Sequence, residues 1–285
     1  MRTELTYGDT RFGPMIWINH GQWVGASLKH YGEYSAGEAD LLRRLLRSTD
    51  VAMDLGANIG ALTIPMAKAC YQVLAVEPQP LHMDILKANV AMNGGCVEFY
   101  QCAIGAKVEK VWFDRVVPFR RPSPEGYQIE QQGDGRYPVN CTTIDELLHK
   151  RKVDLIKIDI ESFETEALQG GRETLAKWRP ILYAENDKYS RSLDLVKEIH
   201  HNRYRAYWHA VPLFRPDNFN ANPTNVFFNT VSLNLLCLPE EQERFDVSQL
   251  HECTEAAPMW DGMCTPANMT MPGVMDVEAQ GEERP

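Results

Sequence analysis

A doubly wound, mostly parallel α/β sheet is the fold class this sequence predicts, and three observations predict it. Apolar strand-like runs alternate with helical runs from Val51 to Leu238, the signature of right-handed βαβ units. Val51-Ala-Met-Asp-Leu-Gly-Ala-Asn-Ile-Gly60 is followed by Ala75-Val76-Glu77-Pro78. This reads as strand, tight glycine turn, helix, second strand and terminal carboxylate, which places a nucleoside-sized ligand at the C-terminal edge of the sheet. Asp154-Leu-Ile-Lys-Ile-Asp159 is almost continuously apolar, as strands buried on both faces are.

The elements follow in order. Residues 1–34 suggest a strand or hairpin and a loop around Met15-Ile-Trp-Ile18. Ser35-Ala-Gly-Glu38 fits a capping box, and Leu41, Leu42, Leu45 and Leu46 mark one face of a helix ending near Arg47. A strand over Val51–Leu55, a helix over Gly60–Cys70 and a strand over Gln72–Glu77 come next. Pro80–Met92 is a helix with proline in its first turn and Asn93-Gly94-Gly95 as its stop. Strands over Val97–Ala103 and Lys107–Val117 precede a polar excursion, Pro118–Tyr137, rich in glycine and proline. Val139–Thr142 resumes as strand, and Thr143-Ile-Asp-Glu146 is a second capping box opening a short helix to Lys150. After the Asp154–Asp159 strand come a helix (Phe163–Trp178), a strand (Ile181–Glu185), a helix (Ser190–Asn202) and strands at Tyr204–His209 and Val231–Leu238. The last pair is joined by an asparagine-rich loop rather than a helix, so an antiparallel final strand is expected. A short helical piece from Pro239 to about Leu250 completes the pattern.

Three segments result: 1–47, packing on the ligand site; 48–250, the main domain; and 251–285, an acidic, Pro- and Met-rich tail expected to be disordered. The formal charge is −10, and the tail's seven acids against one base account for −6 of it. The mildly acidic body lacks the clustered Lys and Arg that nucleic acid requires. Seven cysteines, an odd number without a C-x-x-C pair, read as reduced thiols. The first twenty residues hold no apolar leader region, and no apolar run approaches the roughly 18 residues of a membrane span. The expectation is a soluble, cytoplasmic protein with neither nucleic acid nor membrane as partner; oligomeric state is not legible.

In the first chemical constellation, Gly56 lets the chain turn sharply and lets a ligand touch backbone, Gly60 permits close helix packing, and Asp54 ends the strand facing the crevice. The G-x-x-x-G spacing is one glycine short of a dinucleotide fingerprint and also fits an ordinary strand–helix turn. Glu77 changes the balance: the two hydroxyls of a ribose want a bidentate acceptor at a strand end. In the second constellation, Asp159 and Glu161 lie two apart past a buried strand and can point to one side. Two carboxylates there need a cation or a shared proton: a sulfonium, a metal ion or a substrate proton. Glu161 could instead cap the next helix, and Glu164 reads as structural. Glu185-Asn186-Asp187 fits substrate or metal contact, or a solvated turn. His209 closes a strand facing the cleft and is a candidate general base. No histidine spacing matches a metal motif, and no G-x-S-x-G elbow is present.

Asp54-Leu-Gly-Ala-Asn-Ile-Gly60 resembles motif I of class I S-adenosylmethionine-dependent methyltransferases. Together with Glu77-Pro78, Cys102-Ala-Ile-Gly105, Thr143-Ile-Asp-Glu-Leu-Leu148 and Ile156-Lys-Ile-Asp-Ile-Glu161-x-Phe-Glu164, it makes residues 31 to 210 similar to the FkbM family. The resemblance implies a seven-strand sheet and O-methylation of a hydroxyl on a sugar, glycan or natural product. It implies that Gly56, Ala57, Asn58 and Gly60 contact the methionine and ribose portion of S-adenosylmethionine, and Glu77 the ribose hydroxyls. Ala103 and Ile104 would frame the adenine, and Asp54 and Pro78 would complete the cofactor set. Asp159 and Glu161 would face the methyl donor and acceptor, taking the acceptor's proton with His209 behind them, with or without a divalent cation. Ser162 stands where the family usually has glycine. Glu38, in Tyr31-x-x-Tyr34-Ser35-x-x-Glu38, matches a family pattern and would lid the cofactor, in competition with its capping-box reading. A non-catalytic cofactor-binding protein and, further off, an NAD-dependent oxidoreductase are the alternatives.

Overall fold

The computed structural model describes residues 4–19, 23–114, 129–130, 136–248 and 250–254. The chain opens with the hairpin β1 (Leu5–Gly8) and β2 (Met15–Ile18), then helices α1 (Val24–Tyr31) and α2 (Ala36–Leu45). Alternation begins with β3 (Val51–Leu55), α3 (Thr63–Ala67), β4 (Gln72–Val76), α4 (Pro80–Asn93) and β5 (Val97–Tyr100). Four short strands follow: β6 (Ala103–Ile104), β7 (Glu109–Asp114), β8 (Ile129–Glu130) and β9 (Arg136–Thr142). The second half runs α5 (Ile144–Leu148), β10 (Leu155–Ile158), α6 (Glu164–Gln169), α7 (Arg172–Trp178), β11 (Ile181–Glu185), α8 (Tyr189–His201), β12 (Tyr204–Pro212) and β13 (Val231–Pro239).

Seven strands form the central sheet in the order β12-β13-β11-β10-β3-β4-β5. β11, β10, β3, β4 and β5 are mutually parallel, and β13 runs antiparallel between β11 and β12, the direction expected from its helix-free connection. Alternate residues of each strand bury opposite ways. Met53, Leu55, Leu74, Val76, Ile156, Ile158 and Leu182 face one helical layer with Leu168, Leu175, Val196 and Ile199. Ala52, Val73, Leu155 and Tyr183 face the other, with Leu41, Leu42, Leu45 and Met66. The hairpin and α1 extend that second layer through Met15, Trp17 and Leu28, packed with Ile64, Met83 and Leu86. Each such Leu or Ile, fully buried, contributes about 1.5–3 kcal/mol, so both layers hold the sheet rigid beneath its C-terminal edge.

Several elements depart from expectation. The helix α1 replaces an anticipated loop. The helix expected over 60–70 is reduced to α3, because Gly60 to Leu62 still belong to turns. The strand expected to run to Ala103 stops at Tyr100; Ala103 and Ile104 pair instead with Cys141 and Thr142 of β9, in the separate sheet β6-β9-β7-β8. The helix over 163–178 breaks at Gly170-Gly171, where a Cβ on Gly170 would lie 2.2 Å from the Gly105 carbonyl oxygen. Thr143 caps α5 as expected, its hydroxyl accepting from Glu146 N at 3.1 Å. Ser35 does not cap α2: its backbone is left-handed (φ 41°) and its hydroxyl donates to the Glu38 carboxylate. Among the described residues no helix follows Pro239; the stretch from there to Ser248 makes turns and buries Phe245. The boundary drawn at 250 also moves: Trp208 N donates to His251 O (2.9 Å) and Cys253 N to Ala206 O (2.8 Å), zipping 251–253 onto β12. Residues 255–285 and most of the 118–137 excursion lie outside the described residues. Among the described residues no helix is long and apolar enough to cross a membrane, and no disulfide forms.

Candidate active site

Sheet register brings the motifs together. Leu55 pairs with Val76 on one side and with Ile158 on the other, and Ile158 with Ala184. The turns after β3, β4, β10 and β11 therefore open at one edge.

The glycine turn is fixed from both sides. Gly56 N and Ala57 N each donate to Val76 O at 3.0 Å. Gly56 has φ +79°, and a Cβ there would lie 1.8 Å from Asp159 O, so only glycine fits. Asn58 is also left-handed (φ 51°), and its N–H donates to Glu77 Oε2 at 2.9 Å. Gly60 has φ +92° and packs on Leu86 of α4. Glu77, 5% exposed, accepts from Gln79 N through Oε1 at 2.8 Å, with His82 Nδ1 3.8 Å away. Each carboxylate oxygen takes one backbone donor and retains a lone pair. Pro78 follows Glu77 directly. Ala103 and Ile104 are buried beside β9 in the same sheet; Tyr137 of β9 packs on the cluster that includes Ala103 and donates its phenol to Gln79 Oε1.

Asp54 does not open onto the crevice. It lies beneath the turn, accepting from Thr63 Oγ1 at 2.6 Å and pairing with Lys157 Nζ at 3.1 Å. Lys157 reaches Asp159 Oδ2 at 3.4 Å and donates to Gly56 O at 3.2 Å. Burial alone would pull the Lys157 ammonium pKa down, but Asp54 and Asp159 hold it above the ordinary lysine range. Asp54 thus supports the glycine turn from below, held by Thr63 and Lys157.

The β10 turn carries the acids. Burial, reinforced by Asp159, pushes Glu161 up to about 7, against the opposing pull of Lys188. Burial and then Asp159, Asp187 and Glu161 raise Glu185 well above the carboxylate range. Glu161 (φ 56°) and Ser162 (φ 79°) are both left-handed, a conformation that glycine adopts without the cost other residues carry. Glu164 Oε1 accepts from Ile160 N (3.0 Å) and Ser162 N (3.2 Å) and so braces the loop; among the described residues α6 has no side-chain cap, from Glu161 or any other residue. Asn186 N donates to Leu233 O at 2.8 Å, tying the acidic turn to β13. Among the described residues no group of three or more His, Cys, Asp or Glu could hold a metal ion.

A further network was legible only through Glu38, whose capping-box and lid readings named neither Tyr183 nor Ser232 as partners. Glu38, 3% exposed, meets the hydroxyls of Ser35 and Ser232 and the phenol of Tyr183. Tyr183 OH lies 2.8 Å from His209 Nδ1. Burial lowers His209 to about 4, so it is neutral at pH 7. The structure joins His209 to Tyr183 and Glu38; among the described residues no hydrogen bond links it to Asp159 or Glu161. The one available signal for those partners was Tyr183 itself, a polar-tipped residue inside an otherwise apolar strand.

A family model described as the methyltransferase FkbM domain matches residues 54–217, more than half of the chain. A probable ribosomal RNA small subunit methyltransferase A from Methanosphaera stadtmanae is 40% identical over 88 residues, 30% of this chain and 32% of that protein. The crystal structure of methyltransferase FkbM from Methylobacillus flagellatus KT matches with 18% identity and a TM-score of 0.43, covering 67% of this chain and 44% of that one. Precorrin-6y C5,15-methyltransferase from Geobacter metallireducens GS-15 matches with 13% identity and a TM-score of 0.44, covering 72% and 86%. The chain thus spans about a third of the length of its sequence relative and less than half of the first of these structures. With the matched region containing the glycine turn, Glu77 and the Asp159–Glu164 loop, the chain belongs to the FkbM methyltransferase family.

Proposed function

We propose that this protein is an S-adenosylmethionine-dependent methyltransferase acting on a hydroxyl of a sugar, glycan or natural product. The observation that carries the reading is the Glu77 carboxylate, seated at the end of β4 against Asn58 N of the glycine turn, with one lone pair left on each oxygen. The surrounding residues fit the cofactor: Gly56 leaves a backbone cradle where no Cβ is tolerated, and the buried side-chain nitrogen of Gln79, two residues after Glu77, has no partner among the described residues. Gly56, Ala57, Asn58 and Gly60 would hold the methionine and ribose portion, Glu77 the ribose hydroxyls, and Ala103 with Ile104 the adenine side. When bound, the cofactor supplies an electrophilic methyl group on a positively charged sulfur.

The protein's own part is orientation and proton removal. A carboxyl poised near pH 7 suits a general base, and Glu161 is so poised. It would take the acceptor hydroxyl's proton, leaving the oxygen the stronger nucleophile. Asp159, ion-paired to Lys157, would orient. His209, neutral and hydrogen-bonded to Tyr183, would position the wall behind them rather than act as base. The body lacks the clustered Lys and Arg that RNA requires, which favours an uncharged hydroxylated acceptor despite the partial likeness to a ribosomal RNA methyltransferase.

The test is transfer of labelled methyl from S-adenosylmethionine to a panel of sugars, glycans and hydroxylated natural products, with RNA alongside. Label in a methyl ether, lost about 100-fold or more in Glu161→Gln, is expected. Cofactor binding without transfer to any acceptor would favour the non-catalytic alternative, and label in RNA would overturn the acceptor class.

A further inference from the structure

Gln79 occupies the position before Pro80 at the start of α4, where a side chain often caps the helix; this one does not. It is 4% exposed. Its Oε1 accepts from the Tyr137 phenol, and its backbone N–H donates to Glu77 Oε1 at 2.8 Å. Its Nε2 is buried with no hydrogen-bond partner among the described residues. A buried amide donor left unpaired is costly, so this nitrogen points to a ligand atom. Tyr137 reaches it from β9, on the wall that carries Ala103, so the amide sits where the Glu77 turn meets that wall.

The chemistry of the neighbour says which atom. An ionised carboxylate only accepts hydrogen bonds, so a hydroxyl bound by Glu77 must donate to it, leaving the hydroxyl oxygen in need of a donor. Gln79, whose backbone N–H already meets Glu77 Oε1, carries a neutral side-chain amide donor that can supply one. We propose that Gln79, set in place by Tyr137, is a specificity-determining contact for a ribose hydroxyl of the nucleoside held by Glu77. Glu77 and Gln79 would read that hydroxyl as donor and acceptor at once, which neither does alone. This inference rests on the cofactor assignment above.

The experiment is calorimetric titration of the full chain with S-adenosylhomocysteine and with its 2′,3′-dideoxyribose analogue. Gln79→Leu, which keeps bulk and removes the donor, is expected to weaken S-adenosylhomocysteine about tenfold or more and Tyr137→Phe about threefold. Both variants should bind the dideoxy analogue as the wild type does. Wild-type binding that Gln79→Leu leaves unchanged, or an equal loss with both ligands, overturns this contact while the cofactor reading stands. No wild-type binding at all overturns both. Tyr137→Phe, altering a half-buried phenol, carries the same ligand comparison if Gln79→Leu does not fold by circular dichroism.

Discussion

The carbonyl oxygen of Asp159 lies 1.8 Å from where a Cβ on Gly56 would sit. The glycine turn after β3 and the acidic turn after β10 are thus in direct backbone contact, and residue 56 sets their separation. Gly56→Ala must relieve both the clash and the left-handed backbone. It is expected to cost about 3 kcal/mol or more in urea denaturation, and to abolish S-adenosylhomocysteine binding in whatever protein remains folded.

Lys157 is the counter-charge for the same junction. Buried between Asp54 and Asp159, it cannot be removed without leaving Asp54 charged and sealed from water. Lys157→Met is expected to destabilise by about 3–5 kcal/mol. Adding Asp54→Asn should recover part of that loss, which denaturation of the single and double variants measures.

Ser162 holds φ 79° without glycine's freedom. Ser162→Gly removes a left-handed strain of about 1–2 kcal/mol and adds some unfolded-state entropy. A net gain of about 0.5–1 kcal/mol is expected, seen as a higher denaturation midpoint. Ser162→Val, β-branched at the same angle, should lose stability instead.

How far the sequence disclosed this site follows from what fixes each part. The βαβ frame was legible because apolar periodicity and the glycine turn are local: β3, β4 and β10 fall within a residue or two of expectation. Glu77 and Asp159 were legible as strand-end carboxylates. Asp54 was misplaced because its partner Lys157 lies on a neighbouring strand, over 100 residues away. The Ser35 capping box failed because tertiary contacts drew Glu38 into the network with Tyr183 and Ser232. The orphaned Gln79 amide could not be foreseen, since its phenol partner comes from β9.

Glu164 gives a pH signature. Burial raises its carboxyl from the ordinary 4.5 to about 7. Between those values the unfolded chain has released the proton and the folded chain still holds it. Stability therefore falls as pH rises through this window and levels off above it. A shift of this size corresponds to about 3 kcal/mol. Glu164→Gln keeps an acceptor for Ile160 N and Ser162 N but cannot titrate. Denaturation at pH 5 and pH 8 should show its stability falling less than the wild type's by about 2–3 kcal/mol.

The central claim, that Glu77 grips the ribose of an adenosine-bearing cofactor, is tested most directly by titrating S-adenosylhomocysteine into wild type, Glu77→Ala and Glu77→Gln in a calorimeter. Wild-type binding that weakens about 30-fold or more in Glu77→Ala, and by a smaller factor in Glu77→Gln, is expected. No wild-type binding, or equal affinity in all three proteins, would contradict the account.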